Sequence, residues 1–183
     1  MKTTWMLTLF IALTGFVASA YENPLKKANV GEWIEHKRTT TLSAGGKTME
    51  QTVKQTVKAK DEKEITLFME MTMMGRSLPG MDVKVPLDVP YNPAAAGGKD
   101  TKAKMEVVGE GDEEIKVGDK TYACHWIEMK GTTEIRGEPA DTHSKYWTCK
   151  DVPLNGIVKL EFDSSKGMKM TMELTGAGTN AAK

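Results

Sequence analysis

The chain has 183 residues, and its 25 basic and 25 acidic side chains give a formal net charge of zero. Because no basic cluster accompanies this balance, nucleic acid and anionic membrane surfaces are excluded as expected partners. Two cysteines alone cannot complete a four-ligand zinc site.

Residues 1–20 have the pattern of a secretory signal peptide. Lys2 precedes an apolar run over residues 5–17, and Ala18-Ser19-Ala20 forms a small-residue cleavage site. The run is too short for a comfortable membrane span, and no stop-transfer pattern follows it. We therefore predict an exported protein, periplasmic or secreted, without a transmembrane segment after leader removal. An uncleaved anchor is the alternative.

The first half of the mature chain is predicted to be mostly strand. Asn23 and Pro24 favour one short helical turn. From Glu32 onward the hydrophobic period is two. In residues 47–60, apolar and Gln side chains on one face alternate with Glu, Thr and Lys side chains on the other. Such alternation is typical of an antiparallel sheet with one solvated face.

Residues 75–98 interrupt this rhythm with four prolines. We expect an irregular excursion with a short edge strand at residues 81–85, because structureless loops of this length are uncommon in compact domains. Its apolar content leaves two interpretations open: a lid over one sheet face, or a plain crossover.

Alternation resumes after residue 102 and continues to residue 174. The fold predicted is mainly β: a single antiparallel meander of about eight strands, curved into a half-barrel or barrel, with at most a short N-terminal helix. The predicted domain spans residues 21–174, and residues 175–183 are expected to form a disordered tail because they are small and polar.

The two cysteines lie on neighbouring predicted strands. If Cys124 faces Cys149, then Trp126 faces Trp147 in the same register. Directly opposite cysteines at a non-hydrogen-bonded site are close enough to bridge, so a structural disulfide is predicted. In the last hairpin, the best apolar match pairs Leu160 with Met170.

Methionine is abundant, with three residues on one face of each of two predicted strands. Thioethers suit Cu(I), which makes a copper-binding protein one hypothesis. They also fill irregular cores and pliable apolar pockets, which is the commoner use. We find no catalytic motif, and no cofactor is predicted.

Two segments carry a resemblance. Gly-Glu-Trp-Ile-Glu-His-Lys at residues 31–37 resembles the G-x-W-V-E-Y-K opening of many uncharacterised exported bacterial proteins, and residues 147–159 resemble their W-x-S-x-D-V-P-x-G-G-I-V-K stretch. Such proteins are similar to the periplasmic lipoprotein carriers. The resemblance implies an open half-barrel that holds acyl chains on its concave face.

The leading hypothesis is an exported, non-enzymatic binding protein that holds a lipid or another apolar small molecule on a curved sheet. The alternatives are the copper-binding protein and a structural envelope domain without a small ligand. The predicted ligand-binding wall comprises Met69, Met71, Met73, Trp126, Trp147, Leu160, Phe162, Met170 and Met172.

Overall fold

The computed structural model describes residues 23–43, 45–88, 104–135 and 138–180. The predicted signal peptide lies outside these residues. The described chain forms one short 3₁₀ turn, Pro24–Lys27, and nine strands. In chain order the strands are β1 Glu32–Leu42, β2 Lys47–Lys60, β3 Glu64–Met73, β4 Arg76–Pro86, β5 Lys104–Val117, β6 Lys120–Ile135, β7 Glu138–Thr148, β8 Ile157–Ser164 and β9 Met168–Thr179.

All nine strands belong to one antiparallel sheet, in the order β4-β3-β2-β1-β9-β8-β7-β6-β5. The mainly β prediction is confirmed, but the strand count is nine and the sheet is not closed into a barrel. The prediction of a single meander is also wrong. Two meanders, β1 to β4 and β5 to β9, meet where β1 pairs with β9 at the centre. The chain therefore passes from one edge of the sheet to the other between β4 and β5.

The additional strand is β4, in the proline-rich stretch predicted to be irregular with a short edge strand at residues 81–85. That edge strand is present and is longer than predicted, Arg76–Pro86. It pairs with β3 along its length, apart from a register shift between Met69 and Met71. Pro79 is tolerated because β4 is an edge strand, where a missing N–H donor costs no ladder hydrogen bond. Residues 89–98 of the predicted excursion lie outside the described residues, and the lid remains a prediction.

The prediction of a disordered tail from residue 175 is also wrong, because β9 continues through Thr179 and pairs with β1 as far as Glu32. Gly176 and Gly178 lie beside the ring of Trp33, and a Cβ at Gly176 would come within 3.1 Å of that ring. The small residues of this segment therefore leave room for the indole. Residues 181–183 are outside the described part.

The predicted N-terminal helical turn is present. The side chain of Asn23 accepts a hydrogen bond from the Leu25 N–H at 3.1 Å and so caps the 3₁₀ turn. Lys60 donates from Nζ to the carbonyls of Lys26 and Ala28. These bonds hold the turn against β2, and Leu25 is buried.

The main core lies at the end of the sheet nearest this turn. Ile34 and Ile65 are fully buried there, and Val57 is 1% exposed. Burial of each such side chain stabilises the fold by roughly 1.5–3 kcal/mol. The remaining buried members of this cluster are Leu25, Ala28, Leu67, Leu87, Cys124, Trp147, Cys149, Val152, Leu154, Val158 and Leu174.

The cysteine hairpin forms in the predicted register, with Trp126 opposite Trp147. The predicted disulfide is nevertheless wrong, since both cysteines are free and buried. The pairing of β6 with β7 ends at His125 and Thr148, one residue before Cys149. The Cys149 N–H instead donates to the Gly156 carbonyl at 2.8 Å, in the loop that leads to β8. Cys149 has thus left the ladder that would hold it opposite Cys124.

Candidate functional site

Most of the predicted wall residues share one face of the sheet. Side chains of directly opposed residues lie on the same face, so cross-strand partners can be followed from strand to strand. One such row runs from Met73 through Gln51, Arg38 and Met172 to Leu160. We call this side the methionine face, and define it by Met69, Met71, Met73, Gln51, Val53, His36, Arg38, Thr40, Leu160, Phe162, Met170 and Met172.

The methionine face is only partly covered. At its β8 and β9 side, Phe162, Met170 and Met172 are half-buried and pack against the buried side chains of Tyr146 and Leu160. At its β3 side, Met73 is 39% exposed. The face therefore changes from closed core near Ile34 to accessible apolar surface farther along the strands.

The two methionine groups do not meet as one cluster. Strands β2 and β1 lie between the methionines of β3 and those of β9. Gln51 occupies part of this space, and its Nε2 donates to the Met71 sulfur at 3.1 Å. Among the described residues, no three His, Cys, Asp or Glu side chains are grouped so that they could hold a metal ion.

Trp126 and Trp147 lie on the other side of the sheet. Trp147 follows Tyr146, which faces Leu160 on the methionine face, and successive strand residues point to opposite faces. The Trp147 Nε1–H donates to Glu113 Oε2 at 2.8 Å, and the Lys145 ammonium lies near both rings. The structure thus separates these two tryptophans from the other seven wall residues.

His36 is a buried polar residue of the methionine face that sequence reasoning assigned to no role. His36 is 3% exposed, and its Nε2 donates to the Ile157 carbonyl at 2.9 Å. Burial lowers the pKa of His36 below its ordinary value, although this hydrogen bond opposes the shift. The neutral ring therefore links β1 to β8 across the intervening β9. Its position on the apolar side of the β1 alternation was the available signal.

Arg38 was also missed by sequence reasoning, although alternation places it two residues from His36 on the same face. Its Nε is shielded from solvent and has no hydrogen-bond partner. Burial lowers the pKa of the Arg38 guanidinium. Among the described residues no carboxylate pairs with it, so a partly buried cation without a described counter-charge lies at the centre of the methionine face.

Two cavities are present away from the predicted wall. One, of about 300 Å³, lies between the β5–β6 turn and the side chains of Lys159 and Glu173. The other is an open groove of about 510 Å³, lined by residues that include His143, Asp163 and Ser165. His143 Nε2 lies 2.6 Å from Glu128 Oε1 in this region. Neither cavity includes a predicted wall residue.

Comparisons with known proteins bear on the fold. No family model matches the chain, and no curated protein matches it. A protein from Parabacteroides distasonis described as a lipoprotein has a similar structure, with a TM-score of 0.50, 14% identity, and coverage of 82% of this chain and 96% of that one.

Two further structures are more distantly similar. A protein from Bacteroides fragilis described as exported, with a YmcC-like fold, gives a TM-score of 0.48 at 13% identity, over 83% of this chain and 97% of its own. A DUF1329 family protein from Desulfovibrio piger gives 0.31 at 9% identity, over 83% and 86%. The predicted resemblance to exported bacterial β-rich proteins is confirmed at the level of the fold. In the described residues, no helix has the length and hydrophobicity needed to cross a membrane.

Proposed function

We propose that this protein is an exported, non-enzymatic binding protein that holds an apolar or acyl ligand against the methionine face. The observation that carries the proposal is the presence of two partly exposed apolar groups on one side of the sheet, Met69, Met71 and Met73 on β3 and Phe162, Met170 and Met172 on β8 and β9. An antiparallel sheet usually buries one face and exposes the other to water. An exposed apolar region on the face that also forms the core is typical of a binding surface.

The composition of this face supports an adaptable ligand such as an acyl chain. Methionine side chains have three rotatable bonds and a polarisable sulfur, so they repack around apolar partners of different shape. Each buried methylene of a chain contributes about 0.8 kcal/mol. The signal-peptide pattern and the export-related descriptions of similar structures support a location outside the cytoplasm.

Binding can be tested with decanol, a neutral single-chain probe, measured by isothermal titration calorimetry. We expect the Met172→Gln variant to bind decanol more weakly than the wild type, because an amide on this surface is costly to desolvate. Thr171→Gln is the matched control, since Thr171 is the exposed neighbour on the opposite face of β9. Equal decanol affinity in both variants, or no binding by the wild type, would refute the proposal.

Copper binding remains the alternative function. Met170 and Met172 lie two residues apart on one face of β9. A Cu(I) competition assay with a chelator separates the two proposals, because an acyl-binding protein without a copper site leaves the metal with the chelator. Binding of neither copper nor decanol would favour the structural envelope domain.

A further inference from the structure

Arg38 occupies an unusual position for a charged residue. It lies on β1, one of the two central strands, with Gln51 and Met172 as its cross-strand neighbours. The flanking residues of the same face, His36 and Thr40, are both buried. The neighbours of Arg38 on this face, across the strands and along β1, are therefore apolar or neutral polar residues.

The neighbouring cation on β1, Lys37, differs from Arg38 because it has a carboxylate partner. Lys37 is on the opposite face, where its Nζ lies 2.9 Å from Glu50 Oε1, and Glu173 is its cross-strand partner on β9. Arg38 has no such partner among the described residues, and its Nε is shielded from water. Partial burial of a charge without a partner costs free energy, and a bound anion would recover part of it.

We propose that Arg38 binds the acidic head group, a carboxylate or a phosphate, of a single-chain amphiphile whose apolar chain lies over Met170, Met172 and Phe162. This inference rests on the proposed function and specifies its ligand class. A guanidinium presents a planar fork of N–H donors that matches carboxylate and phosphate oxygens. The half-buried apolar side chains beside it supply the surface for the chain.

The strand register determines the direction in which the ligand would lie on the sheet. The row from Arg38 runs through Met172 to Leu160, and the adjacent row places Met170 opposite Phe162. An amphiphile with its head at Arg38 therefore meets the second apolar cluster immediately beside the charge. Neutral chains bind to the same cluster without using the guanidinium, and their affinity is independent of Arg38.

The test compares decanoate, dodecyl phosphate and decanol, each below its micellar concentration, by isothermal titration calorimetry. We expect Arg38→Gln to weaken binding of both anions about tenfold or more, because a charge-assisted hydrogen bond is lost. Decanol affinity should be unchanged. The matched control is Lys37→Gln, which removes the same charge from the opposite face and should leave all three affinities unaltered.

A structural role for Arg38 gives a different result. If the guanidinium only supports the sheet, Arg38→Gln lowers the urea midpoint and leaves the decanoate-to-decanol affinity ratio unchanged, which overturns the proposal. Acetate and inorganic phosphate serve as head-group probes without a chain. If they bind as tightly as decanoate, the ligand is a free anion and the amphiphile is excluded.

Two further outcomes keep the inference separate from the proposed function. If decanol binds and Arg38→Gln changes no affinity, the head-group site is wrong while apolar binding stands. If neither decanol nor the anions bind to the wild type, both fail. Should Arg38→Gln not fold, Arg38→Lys retains the charge without the planar fork, and we expect a weaker preference for decanoate over decanol than in the wild type.

Discussion

The Lys145 ammonium nitrogen lies 4.1 Å from the centre of the Trp126 ring and 4.7 Å from the centre of the Trp147 ring. The same nitrogen is 3.9 Å from Glu113 Oε2, which accepts the Trp147 indole N–H. These contacts join β5, β6 and β7 on the face opposite the methionines. The hairpin that the sequence marked by its cysteines is held by a cation between two aromatic rings.

Replacing Lys145 should therefore lower the free energy of unfolding. Lys145→Met retains most of the aliphatic side chain and removes the charge, and we expect a loss of roughly 0.5–2 kcal/mol in urea denaturation. Lys166→Met is the control, because Lys166 pairs only with the exposed Glu138 among its described contacts. Equal losses in both variants would show that the rings add nothing to an ordinary surface charge.

Stability should fall in mild acid because of His36. Burial holds the pKa of His36 in the folded state below the value of 6.5 that applies to the unfolded chain. The unfolded state therefore binds more protons as the pH drops below about 6.5, and the free energy of unfolding decreases by at most about 1.4 kcal/mol per pH unit. Above this pH the contribution is fully present.

Urea denaturation between pH 7.5 and 5.0 measures this dependence. His36→Gln keeps a neutral donor for the Ile157 carbonyl and should flatten the pH profile, whereas His125→Gln removes an exposed imidazole and should retain it. A profile that is unchanged by His36→Gln would contradict the assignment.

Both cysteines should be free thiols. Without reductant, we expect two reactive thiols per chain after unfolding in a dithionitrobenzoate assay. In the native protein the reaction should be slow, because both side chains are buried and burial raises the pKa of Cys124 to about 11. Intact mass with and without reductant is the control, and a difference of two hydrogens would demonstrate a disulfide instead.

Gly111 provides space for the Trp126 ring. A Cβ at this position would lie 3.0 Å from the indole, which Lys145 contacts as well. We expect Gly111→Ala to reduce the free energy of unfolding by about 1–3 kcal/mol, the usual cost of overpacking. Gly109→Ala brings its Cβ to 3.3 Å and should cost less.

A double-mutant cycle isolates the clash. In a Trp126→Leu background, Gly111→Ala should become nearly neutral because the ring is gone. A loss that persists in that background would place the strain elsewhere.

Sequence reasoning succeeded for the β6–β7 hairpin, whose two strands are consecutive in the chain. Alternation predicted Trp126 opposite Trp147, and this pair is present. The disulfide prediction was wrong because the register of two strands does not determine the residue at which their pairing ends. Cys149 lies one position past the last paired residue, in a turn that alternation cannot detect.

The β8–β9 register shows how a turn decides pairing. The best apolar match placed Leu160 opposite Met170, but Leu160 faces Met172. Gly167 has a φ of +74° and donates to the Ser164 carbonyl, which gives a three-residue loop ending in a left-handed glycine. Because the register is shifted by two residues, every side chain stays on its predicted face. The residues assigned to the methionine face are therefore unchanged.

The pairing of β1 with β9 was beyond local pattern reasoning. Both strands alternate, but nothing in a period of two specifies a partner more than a hundred residues away along the chain. The same limit applies to Arg38, whose lack of a counter-charge depends on the side chains that β2 and β9 bring beside it.

This central pairing has a consequence for biogenesis. The first meander, β1 to β4, leaves the ladder groups of β1 open until β9, the last of the nine described strands, is available. Unpaired strand edges are templates for association with other chains. Residues up to Thr179 must therefore be available before β1 can complete its pairing with β9. Truncations near the C-terminus should consequently aggregate, whereas loss of an edge strand would leave the central ladder intact.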